Sequence, residues 1–95
     1  MPAVELKVLI GQRLAIVREH FKLRHMQRLA DILEVEHDRY RAWEKGINPM
    51  PIVFADLLET KLGVSSDWIL SRDPQRMKLE LVVNRPQVKS RTPKT

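Results

Sequence analysis

A chain of 95 residues makes one small domain with at most a short extension, too short for a two-domain enzyme with a cleft between its halves. It has no cysteine, which removes disulfides, thiolate metal sites and thiol catalysis together, and no run approaches the roughly 18 apolar residues of a membrane helix. The net charge of +5 lies wholly in the last 22 residues: Lys+Arg and Asp+Glu number 11 each over residues 1–73, then six against one, Glu80, over 74–95, so charge alone does not mark the folded part as a nucleic-acid binder.

Residues 1–10 carry Glu5 and Lys7 and lack the long apolar core of a signal peptide, so a cytoplasmic protein is expected. Over 5–21, Ile10, Leu14, Val17 and Phe21 recur at helical period and predict a first helix. Arg13, Arg18, Glu19 and Lys22 fall largely off that stripe, and no Gly or Pro marks the helix end. Met26, Leu29, Ala30 and Leu33 repeat the period over 25–33. A break at Glu34-Val35-Glu36 precedes a third helix, 37–45, with Tyr40 and Trp43 on one face and Gly46 suited to the left-handed position after it.

Asn48-Pro49-Met50-Pro51 reads as a turn into a fourth helix, 51–62, since Pro is tolerated where a first-turn N–H has no partner. Ala55, Leu58 and Leu62 form its inner stripe, Phe54 and Leu57 flank it, and Gly63 closes it. Ser65 or Ser66 then caps a fifth helix, 66–71, with Asp67 near the positive end of its dipole. The domain is expected to end near Asp73-Pro74. Leu79-Glu80-Leu81-Val82-Val83 has strand composition, but an isolated strand of this length needs a partner, in this chain or a second one. Residues 84–95 read as a mobile basic tail.

Helices 25–33 and 37–45 with their three-residue turn form a helix-turn-helix. Tyr40 and Trp43, three apart in an amphipathic helix, are core residues and not a stacking platform. His20, His25 and His37 lack the spacing of a metal site, and Glu34, Glu36 and Asp38 read as solvated acids, favoured near a helix start. Ser65-Ser66-Asp67 reads as a cap, and no nucleophile–base pair or phosphate-binding glycine loop is present. No enzyme, no metal and no cofactor are expected.

Leu29-Ala30 with Leu33 and Val35, then Trp43-Glu44-Lys45-Gly46, then Leu62-Gly63-Val64 together resemble the lambda-repressor-like family of Cro and phage-repressor (Xre-type) regulators, over residues 9–71. The resemblance implies an all-α, five-helix helix-turn-helix domain over 1–73, to which the sequence adds a 74–95 extension holding strand 79–83 and the basic tail. It implies that helix 37–45 lies in the major groove of double-stranded DNA, with His37, Asp38, Arg41 and Ala42 facing base edges. It places His25, Arg28, Arg39, Lys45 and Asn48 against phosphates. Arg41 suits a forked bond to guanine O6 and N7, whereas carboxylates at Glu36 and Asp38 repel phosphate and pair chiefly with the cytosine amino group. Met26 replaces a common Gln, Glu36 stands where Ser, Thr or Gln is usual, and Leu23-Arg24 makes the approach to the second helix one residue longer.

Some Cro-like proteins dimerise through C-terminal strands, and the resemblance permits Leu79, Leu81 and Val83 to do so here; an intramolecular strand is the other reading. The function expected is a sequence-specific DNA-binding regulator, a repressor reading a palindromic operator as a homodimer. The alternative is a protein-interaction module on the same fold, such as the antitoxin partner of a toxin or a companion of another regulator.

Overall fold

The computed structural model describes residues 4–82. They form five helices: α1 (Leu6–His20), α2 (Met26–Leu33), α3 (His37–Glu44), α4 (Ile52–Leu62) and α5 (Ser66–Ile69). The expected helices are all present, and the fifth is shorter than 66–71 because the chain leaves helical geometry at Leu70. None of the described helices is long and apolar enough to cross a membrane.

One apolar core joins all five helices. Ile10, Leu14 and Val17 of α1 meet Leu29, Ala30 and Leu33 of α2, Tyr40 and Trp43 of α3, Ala55 and Leu58 of α4, and Trp68 and Ile69 of α5. Val35 fills the α2–α3 turn from below, half-buried. Met50 plugs the α3–α4 connection, a buried position the sequence left unassigned. Ser65 caps α5 by accepting the Trp68 N–H, and the Ser66 N–H donates to Glu59 Oε1.

Four of the five helices end on one device. Lys22, Glu34, Gly46 and Gly63 all take a left-handed conformation, with φ of 59°, 60°, 75° and 72°. In that geometry the next N–H turns back to a carbonyl of the last helical turn, as Leu23 does to Arg18, Val35 to Ala30 and Ile47 to Ala42. Gly46 and Gly63 adopt it without a Cβ penalty.

Arg13 departs from the expectation that it lies off the apolar stripe: it is fully buried. Its guanidinium donates to the carbonyls of Ile69, Ser71, Asp73 and Arg76. Burial lowers its pKa, with Arg76 adding to the effect and Asp73 and Glu80 opposing it. The chain therefore does not leave the domain at Asp73-Pro74. Residues 71–82 fold back, Trp68 Nε1 donates to the Arg76 carbonyl at 2.9 Å, and the Arg76 side chain pairs with Asp67 and Glu80.

The expected strand 79–83 is not formed among the described residues. Leu81 makes a single antiparallel bridge with Val64, framed by Ser65 N–H to Glu80 O and Val82 N–H to Gly63 O. The ladder stops there because Val64 stands between the left-handed Gly63 and the cap residue Ser65. One extended residue offers one pair. Val83 and the tail 84–95 lie outside the described residues.

Candidate nucleic-acid interface

The geometry begins with what holds α3 from behind. Gly11 of α1 packs directly against its C-terminal carbonyls: a Cβ built there would stand 2.5 Å from the Glu44 oxygen and 2.7 Å from that of Trp43. Glu44 accepts both Nε and Nη2 of Arg18 at 2.8 and 2.7 Å. Its Oε1 also accepts the Tyr40 hydroxyl at 2.6 Å. Arg18 further donates to the carbonyls of Leu23 and Arg24, so one guanidinium ties α1, α3 and the α1–α2 loop together. The Glu44 hydrogen bond raises the Arg18 pKa. Burial, then Glu44, pushes the Tyr40 phenol far above its ordinary value.

With Tyr40, Trp43 and Glu44 turned inward, helical spacing fixes what faces out. At about 100° per residue, Asp38, Arg41, Ala42 and Lys45 share one outward arc, and His37 and Arg39 lie on its opposite flanks. Asp38, Arg41 and Lys45 are exposed, and His37 and Ala42 are half-buried. The Asp38 side chain is 99% exposed, with His37 Nδ1 3.9 Å from its carboxylate. Arg41 and Lys45 have no ion-pair partner among the described residues. The face thus offers two uncommitted cations and one carboxylate, with a small side chain between them.

Arg39 has a different setting. Its guanidinium carbon sits 5.3 Å from the Trp43 ring centroid and 5.4 Å from that of Phe54, on the α4 flank of α3. The Arg39–Trp43 spacing of four residues was a signal for that stacking. Asn48 is exposed in the loop after α3.

His25 and Arg28 are exposed at the start of α2. A concavity of about 420 Å³ lined by Lys22, Leu23, Arg24, His25 and Arg28 opens there. It adjoins a second, of about 650 Å³, lined by Ala15, Arg18, Glu19, Lys22, Leu23 and Arg24. Lys22 and Arg24 were not among the sequence candidates, yet they share this basic rim with His25 and Arg28.

Leu79 and Leu81 pack half-buried against the core of their own chain. Among the described residues no three His, Cys, Asp or Glu side chains gather as a metal site would require. Comparison with family profiles, with curated proteins and with solved structures finds none that matches the chain.

Proposed function

We propose that this chain is a sequence-specific DNA-binding regulator of the lambda-repressor-like type, acting as a homodimer that occupies a palindromic operator and carries no catalysis. The observation that supports the reading most is the outward arc of α3. Arg41 and Lys45 project from a helix whose opposite side is fully committed to the core, and a three-residue turn leads into that helix from α2. The order and lengths of the five helices support the same architecture. The basic rim at Lys22, Arg24, His25 and Arg28 supplies charge for phosphates, which position the protein while base contacts select the site.

Incubating the chain with a random DNA pool at one fixed, near-physiological salt concentration tests this, because phosphate contacts make affinity steeply salt-dependent. The expected result is an enriched inverted repeat with half-sites about one helical turn apart. Arg41→Ala is expected to relax selection at one base position and cost about 1–3 kcal/mol of binding. Unchanged site selection in that variant would remove α3 from the reading role. The fully exposed Asp38 at the leading end of α3 favours one second reading, a face that docks a basic protein partner such as a toxin. Failure to retain any DNA, together with a partner gene adjacent to this one, supports that reading.

A further inference from the structure

We infer that two copies of this chain associate through the face formed by the α3–α4 loop and the first turns of α4, and not through the segment after α5. Three large apolar side chains are more than half exposed among the described residues: Ile47 at 58%, Ile52 at 67% and Val53 at 63%. All three fall between residues 47 and 53, with the exposed Pro51 among them. Scattered exposed apolar residues are ordinary, whereas three within a seven-residue stretch concentrate apolar surface around the start of α4. α4 turns Phe54, Ala55 and Leu58 inward, so Ile52, Val53 and Asp56 form its outer side.

A second copy is the occupant that the charges suit. A two-fold contact sets a surface against itself, so the surface must complement its own rotated image. Asp56 lies one helical turn beyond Ile52 and has no ion-pair partner among the described residues. Arg39 borders the same face from α3, stacked over Phe54 at 5.4 Å and also without a carboxylate partner. A two-fold axis through Ile52 and Val53 packs these side chains on their copies and sets Asp56 of each copy against Arg39 of the other. By contrast, Leu79 and Leu81 already spend much of their apolar surface on their own core.

The dimensions agree with the DNA-reading proposal, and only this point rests on it. The body measures 44 × 35 × 22 Å, so the centres of two copies in contact lie between 22 and 44 Å apart, a range that includes the roughly 34 Å of one DNA turn. The face is small against the roughly 20–30 residues a side of a standard interface, so the free dimer is weak. Neighbouring half-sites raise the effective concentration and tighten it.

Sedimentation equilibrium of the full chain without DNA, from ~10 μM to ~1 mM, tests the inference apart from any DNA activity. The expected result is a mass rising from one chain to two. Ile52→Asp and Val53→Asp are expected to weaken dimerisation at least about tenfold while keeping helicity and melting temperature, since both side chains are exposed. Asp56→Arg is expected to weaken it too, and Arg39→Asp combined with Asp56→Arg to restore it. A single-chain mass throughout the range overturns the inference. So does a dimer that ignores these substitutions but is broken by Leu79→Asp, or a double variant no stronger than Asp56→Arg alone.

Discussion

Tyr40 is the only tyrosine in the chain, and its hydroxyl is committed to Glu44 inside the core. An unfolded tyrosine ionises near pH ~10, and burial raises the folded value above that. The linkage has a fixed sign: the stabilisation is fully present below the unfolded value and is lost as pH rises above it. Tyrosinate absorbance is therefore expected to appear together with the loss of helical circular dichroism in an alkaline titration. A phenol that ionises while the helices persist would remove Glu44 and burial as the controlling contacts. At the acid end, the Lys61 hydrogen bond and charge hold the Glu34 carboxyl below its ordinary range. That exposed pair contributes above the usual carboxylate pKa and fades as pH falls through the folded value.

At the scale of the element, helix ends explain what could be read in the sequence. Gly46 and Gly63 announced two of the left-handed caps, whereas Lys22 and Glu34 fill the same conformation with nothing in their residue type to say so. This is why the end of α1 could not be fixed from periodicity. A side chain in this conformation pays a steric cost that glycine avoids. Lys22→Gly is expected to raise stability by about 0.5–1 kcal/mol in urea denaturation, and Glu34→Gly to gain less because it loses Lys61. Core positions such as Leu14, Leu29 and Leu58 were legible because burial follows helical period. Gly11 and Arg13 were not, since one is defined by a neighbouring main chain and the other by carbonyls some 60 residues away. Gly11→Ala forces α1 from α3 at a cost of about 1–3 kcal/mol, read as a lower denaturation midpoint.

For the whole molecule, the segment after α5 matters more than its composition suggested. Arg13 and Trp68 both donate to the Arg76 carbonyl, and Leu79 and Leu81 cover the core beyond it. Ending the chain at Asp73 strips both donors of that acceptor and uncovers apolar surface. Each unmet buried donor costs about 1–3 kcal/mol, a large share of the roughly 5–15 kcal/mol that holds a domain together. Such a truncation is expected to lower the melting temperature sharply; an unchanged melt would make residues 74–82 an ornament of the fold. The outward arc of α3 was equally legible as a set of positions, because spacing fixes which residues face away from the core. The flanking role of Arg39 was not, since it depends on Phe54 arriving from another helix.

The contact at Gly11 has one more consequence. α3 is seated by main chain meeting main chain, with Tyr40, Trp43 and Glu44 fastening it from beneath. Its tilt owes nothing to Asp38, Arg41 or Lys45, whose replacement belongs to the class of surface changes worth within about 0.5 kcal/mol. Descendants of this chain are therefore free to spell a new message on that face while inheriting the scaffold unaltered.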